Sequence, residues 1–304
     1  MINVDQRTLR EWHKKAVLPF LSGCAFVGLF WNPDVSIQVV IMLIGIATIG
    51  LGHGAMDHRV GEILMRPRFG RNWAVIFTLA YLALVAMGFG GWIIAPAPAL
   101  ILFLAYSALH FGSDRFQANS TVHAASRGAI PLLLPVAFHP EEVSNLFSMI
   151  TSTDLRVEQY VLPVGLLAAL AVFLTVISAV RRREFIQGTE TLLLVALNIT
   201  NPPLVAFTLY FVFLHSIGHI IELAGWLEPK SVLKGFRRIV RESLPLTALL
   251  VLASALVISL ARVVELKPAI IQTVFIGLSC LTVPHMVVTH AGEKWFSRQE
   301  FGLS

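Results

Sequence analysis

The chain has 304 residues, 56% hydrophobic and 13% charged, with a formal charge of +5 and a mean hydropathy of +0.75. Soluble domains carry nearer a quarter charged residues, so this composition excludes a water-soluble globule. Nucleic acid is not indicated either, because Lys and Arg fall between the apolar runs, where membrane topology requires them.

A membrane-crossing helix needs about 20 mostly apolar residues. In chain order such stretches are 16–31, 35–53, 72–94, 97–112, 160–180, 203–226, 243–263 and 269–290. Two weaker ones are 122–138, which carries Arg127, and the short 188–200. No signal-peptide cleavage site is evident after the basic segment Arg7–Lys15, and Cys24 and Cys280 lie in separate apolar runs, so no disulfide framework is indicated. The sequence predicts an all-α, polytopic transmembrane bundle of eight to ten helices, with ten favoured, in one integral-membrane domain over 1–304. Basic residues cluster before span one and after spans two, six, eight and ten. The intervening loops, such as 139–159 with Glu141, Glu142, Asp154 and Glu158, are poor in them. By the positive-inside rule both termini are cytoplasmic, in a multi-pass inner-membrane protein.

With that topology, His53, His110, His215, His219, His285 and His290 all fall on even-numbered spans. At about 1.5 Å per residue they share roughly one depth, in the cytoplasmic half. Ionisable side chains at membrane depth are costly and mark functional sites by default. His215 and His219, in His-Ser-Ile-Gly-His, are four apart, which puts both rings on one helical face where they can chelate one ion. The bland alternative is hydrogen bonding to neighbouring helices. Glu222 extends that face and suits an orienting carboxylate, while Gly218 leaves room for close approach.

Two further segments repeat one pattern. In Gly52-His53-Gly54-Ala55-Met56-Asp57-His58 and in His110-Phe111-Gly112-Ser113-Asp114, an aspartate follows a histidine by four residues. Asp57 and Asp114 are expected to hold the second ring nitrogens, although Ser113 or Asp114 also suit helix capping. Tyr106, Tyr210, Phe211 and His285 are candidates for the wall of a substrate cavity. His58 and His290 read as interfacial, and His13, His123 and His139 as solvated imidazoles. Imidazole suits zinc, copper, iron and nickel alike. Hydrolytic zinc usually keeps three protein ligands and a water, so four histidines tilt toward redox chemistry.

At these residues the chain resembles the Brp/Blh-type β-carotene 15,15′-dioxygenases, which are membrane proteins. The resemblance rests on Gly52–Asp57, His110–Asp114, His215–His219 and Pro284-His285-Met286, in the family's order over about 35–290; Met56 stands where members often carry leucine. It implies oxidative cleavage of the central double bond of β-carotene by dioxygen to two all-trans-retinal. It also implies an iron(II) cofactor whose ligands match His53, His110, His215 and His219. A lipid-soluble carotenoid would then be the substrate, with retinal passed to a membrane rhodopsin. Rival readings are another membrane iron oxygenase or desaturase, and a histidine-lined metal or proton transporter. The usual His-x-x-His-His boxes of the first and the broken-helix repeats of the second are both missing from the sequence.

Overall fold

A computed structural model of the protein describes residues 6–112, 121–228, 231–260 and 265–300, without the side chains of Arg7, His53, Thr121, Val257 and 297–300. Among these residues every regular element is helical. Helix α1 is Gln6–Gly28, so the basic segment ahead of the first apolar run belongs to the helix too. Asp34 caps α2 (Val35–Gly45) by accepting from the Ser36 and Ile37 amides at 2.7 and 3.3 Å. A π-helical stretch, Ile46–Gly50, leads into the short α3 (Leu51–Gly54), and a turn at Ala55-Met56 separates it from α4 (Asp57–Phe69). Then come α5 (Trp73–Ile94), α6 (Pro96–Gly112), α7 (Thr121–Phe138), α8 (Pro140–Thr151), α9 (Val161–Arg182) and α10 (Phe185–Thr200). Pro203 opens α11 (Pro203–Leu209), where its missing N–H costs nothing. A second π-helical stretch, Tyr210–Ser216, joins α11 to α12 (Ile217–Leu227), and α13 (Val232–Leu260) and α14 (Leu266–Glu300) follow.

Five stretches are long and apolar enough to cross a membrane: Asp57–Ile94, Glu158–Arg182, Pro203–Leu227, Val232–Leu260 and Leu266–Phe296. Four more apolar helices are shorter, among them Val35–Gly50 and Pro96–Gly112. Outward faces carry bare leucines such as Leu79, Leu162 and Leu252 at 64, 73 and 68% exposure. Apolar surface this extensive suits lipid and not water. Pro203–Leu227 is the exception, buried over most of its length, so the bundle is built around the segment that carries His215 and His219.

Where no water competes, helices associate through close backbone packing and internal polar bonds. The α6–α7 crossing shows the first. A Cβ on Gly112 would fall on the Ala124 carbonyl, and one on Gly128 on the Ala108 carbonyl. Small residues on both helices therefore let the backbones touch, and they set the level of His110. The second appears where Trp92 Nε1 donates to Ser279 Oγ at 2.9 Å, and where Arg59 bridges Glu62 at 2.8 Å and Glu242 at 2.6 Å, tying α4 to α13. At Gly218 the expected close approach is not made: a Cβ there meets nothing nearer than His13 Cε1 at 4.0 Å.

Gly128→Ala should lower stability by about 1–3 kcal/mol through overpacking, whereas Gly91→Ala, whose Cβ meets nothing within 4 Å, should be silent. Thermal unfolding of the two variants in detergent makes the comparison; equal midpoints would contradict the close α6–α7 contact.

Candidate active site

Four histidine rings from three segments of the chain meet inside the bundle. His110 comes from the last turn of α6, His215 from the second π-helical stretch, His219 from the start of α12 and His285 from α14. All four are buried, His215 almost completely at 1% exposure. The ring centroids of His110 and His215 are 4.8 Å apart, those of His110 and His285 5.3 Å, and those of His219 and His285 5.2 Å. Each pair is close to perpendicular, at 75, 88 and 77°. Rings gripping one ion through nitrogens at about 2.1 Å would stand roughly 4.6–5.3 Å apart. All three spacings lie in that interval, so neighbouring rings fit shared coordination. Among the described residues, which do not include the His53 ring, no three His, Cys, Asp or Glu side chains are arranged to hold an ion together. The match in spacing is thus one of adjacent pairs of rings.

Among the described residues, His215 and His219 lie against different rings. His215 lies against His110, Phe111 and, stacked at 28°, Phe211, while His219 lies against His285. The cause is the π-helical stretch Tyr210–Ser216. Its wider i→i+5 repeat turns His215 away from the α-helical register in which residues four apart line up. The same widening leaves carbonyls to be satisfied from outside, and His13 Nε2 donates to the Phe213 carbonyl at 2.7 Å. His13 is therefore a structural tie and not a solvated ring. His139 likewise binds the Asn198 carbonyl at 2.7 Å, and His123 is buried near Gln187.

Asp57 meets two partners that the sequence did not suggest. Its Oδ1 accepts from His285 Nδ1 at 2.8 Å and its Oδ2 from the Tyr81 hydroxyl at 3.0 Å. The His53–Asp57 spacing implied one continuous helix, but α3 stops at Gly54 and α4 starts at Asp57. The intervening turn re-aims the carboxylate. Asp57 is itself buried, at 6% exposure. Nothing in the spacing singled out Tyr81, which reaches this site from the next helix.

Glu222 pairs with Arg10 of α1 at 3.2 Å, a partner the sequence did not suggest. His53 sits in α3 by its backbone, its ring outside the described atoms, and Asp114 lies outside the described residues. Tyr106 donates to the Ser279 carbonyl at 2.7 Å and sits 2.8 Å from Ser279 Oγ, so it straps α6 to α14 behind the cavity wall. His290 is largely exposed, and His58 Nδ1 lies 2.9 Å from the Ala55 carbonyl.

Two hollows flank the cluster. One is an apolar cavity of about 310 Å³ walled by Phe103, Phe111, Phe207, Phe211, Leu249 and Leu281, with Asp57, Tyr81, His110 and His285 as polar members. The other is a small polar cleft where Arg10, Arg127, Glu190 and Glu222 surround the far side of His215. Tyr210 belongs to this cleft and packs on Phe111 at 5.4 Å, so of the four cavity candidates only Phe211 and His285 line the apolar side. The histidines form a partition between an oily chamber and a charged one.

A buried imidazole cluster beside an apolar chamber, within a bundle of helices apolar enough to cross a membrane, is an arrangement suited to lipid-soluble molecules. The profile of the family described as Beta-carotene 15,15'-dioxygenase matches residues 44–291. A relative named Beta-carotene 15,15'-dioxygenase from uncultured marine bacterium 66A03 is 30% identical over 250 residues, covering 79% of this chain and 88% of its own. Another, named Probable beta-carotene 15,15'-dioxygenase Blh, from Halobacterium salinarum (strain NRC-1), is 25% identical over 287 residues, covering 82% and 81%. No solved structure matches the chain. The protein belongs to the β-carotene 15,15′-dioxygenase family, a family of carotenoid-cleaving enzymes.

Because the Tyr106 hydroxyl is a strap, Tyr106→Phe should cost about 1 kcal/mol of stability. Thermal unfolding checks this, and an unchanged midpoint would return Tyr106 to the list of cavity candidates.

Proposed function

We propose that the protein cleaves the central 15,15′ double bond of β-carotene with dioxygen, releasing two molecules of all-trans-retinal. The observation that carries this reading is the histidine cluster forming one wall of an apolar cavity, in a chain of this family. A ferrous ion held by His53, His110, His215 and His219 would supply dioxygen activation, since four neutral nitrogens leave open positions on a metal that prefers six ligands. The chain's own contribution is binding and exclusion of water. Phe103, Phe207 and Phe211 offer aromatic walls to a conjugated polyene, and Leu278 and Leu281 extend the apolar lining. Where a bound polyene displaces water from this chamber, the electrostatic interactions of the reacting bond are strengthened. His110 stands on both the cavity wall and the ring cluster, so the bond to be cut lies beside it.

The polyene reaches the chamber sideways from the bilayer, between α5 and α13. Leu82 on α5 and Leu249 on α13 both line the cavity, yet they are 56 and 62% exposed on the outer surface. A residue that faces both the hollow and the lipid is the lip of an opening. Ten crossings with both termini cytoplasmic, in the inner membrane, would put the cluster in the cytoplasmic half, from which retinal can pass to a membrane rhodopsin.

Expression in carotene-producing bacteria tests the reaction. Orange colour should be lost and retinal should appear in the extract, and His215→Ala should abolish both changes. Normal retinal from that variant, or products of eccentric cleavage from the wild type, would overturn the proposal. The portal has its own test. Leu249→Trp should slow retinal formation several-fold in membranes, while Leu252→Trp, on the lipid face of the same helix and off the cavity, should not. Equal rates for the two would move the opening elsewhere.

A further inference from the structure

We infer that a second hollow, between α6, α7, α8 and α11, is the other half of the substrate site, joined to the main chamber through a phenylalanine neck at Ser107. The inference rests on the central-cleavage reading above and deepens it, because it names what holds the half of the polyene beyond the cut.

A bond at the middle of a symmetrical molecule needs room for an equal length of chain on either side. The chamber supplies one side. It runs from the portal at Leu82 and Leu249 to Phe103, Phe111 and Phe207, beside His110. Half of the polyene seated there puts the central bond at this inner end, and the other half has to continue past it.

Past that end lies a hollow of about 60 Å³, reaching Pro131 and Pro135 on α7, Val143 and Leu146 on α8 and Leu204 on α11. No residue of α5 or α13 lines it, and no histidine does. The two hollows share Phe103, Ser107, Phe111 and Phe207 as a common wall. Phe103, Ser107 and Phe111 are spaced by four along α6, so they form one stripe on that helix. Ser107 has the smallest side chain of the stripe and stands between its two phenylalanines, which makes it the gap in the wall. Aromatic surface is continuous through this neck. Phe207 stacks on Phe211 of the chamber at 5.7 Å and 14°, and meets Phe275 of the second hollow at 5.6 Å.

The lining argues for an apolar occupant. Close-packed interiors leave few voids larger than a water molecule, and this one is well above the ~15 Å³ that a water needs. Apart from Ser107 every lining residue is apolar, whereas a buried water needs about two to four polar partners. Wall atoms of an apolar void forgo contacts on one side, and an apolar ligand restores them. The hollow is smaller than the chamber, so its wall yields as the chain enters. Leu104, Leu132, Leu146 and Phe207 are only partly buried, and such side chains can change rotamer without moving the backbone.

The test compares two substrates. β-Carotene carries a ring at both ends, whereas a β-apocarotenal keeps one ring and is shortened at the other end. Cutting the same bond in it releases one retinal and a short dialdehyde. Val143→Phe and Leu146→Phe fill the second hollow from α8. Each is expected to lower kcat/KM for β-carotene about ten-fold or more relative to the apocarotenal, which can turn its short end into the blocked half. Cleavage of the apocarotenal by the same preparation shows that the variant is folded and competent. Leu146→Ala widens the hollow, is independent of overpacking, and is expected to move the ratio toward β-carotene. A wild-type ratio in all three variants, or equal losses for both substrates in variants that unfold at the wild-type temperature, would overturn the second half of the site and leave central cleavage standing. A wild type that releases no retinal from β-carotene would overturn both.

Discussion

An imidazole or carboxylate drawn out of water into a lipid-facing bundle must find its partner inside that bundle, and this constraint organises the whole molecule. The desolvation penalty for each such group is several kcal/mol, more than most single contacts return. The structure meets much of it by concentrating polar groups beside one another. Four imidazoles stand edge to face, Asp57 lies between His285 and Tyr81, and the arginines Arg10 and Arg127 each meet a buried glutamate. Apolar walls then surround the cluster on one side and charged ones on the other.

Backbone geometry follows from the same demand. Both π-helical stretches, Ile46–Gly50 and Tyr210–Ser216, lie close in sequence to histidines, and the second carries His215 itself. They touch each other through Gly50, whose missing Cβ leaves space for the Phe211 ring. Such bulges weaken the local hydrogen-bond ladder, and the surroundings supply replacements such as His13 on the Phe213 carbonyl. Glycines at the α6–α7 crossing serve the same end by bringing His110 to the level of the other rings. The site is thus assembled by irregular backbone held in place by regular neighbours.

Much of this was legible in the chain. The helical class and the apolar stretches came from composition and run length, and the histidines were conspicuous because ionisable residues are rare in such runs. Less legible was which residue each would meet. Spacing arguments assume an unbroken helix, and they missed the turn at Ala55-Met56 and the contact of Asp57 with His285. They also missed the π-helical stretch that separates the neighbours of His215 and His219. Tyr106 and Tyr210 looked like cavity residues by type and position, but hydrogen bonding and helix rotation put them behind the wall and in the polar cleft.

By itself the sequence determined that the protein is all-helical with spans apolar enough for a membrane, and that histidines stand out within those spans, because apolar run length and the rarity of polar residues are local properties. Only the tertiary structure decided that Asp57, His285 and Tyr81 form one unit. Asp57 and His285 are separated by 228 residues, and their meeting with Tyr81 depends on how α4, α5 and α14 pack together. Partner choice inside a bundle is settled by packing angles and by single breaks in helical register, and neither leaves a period in the chain.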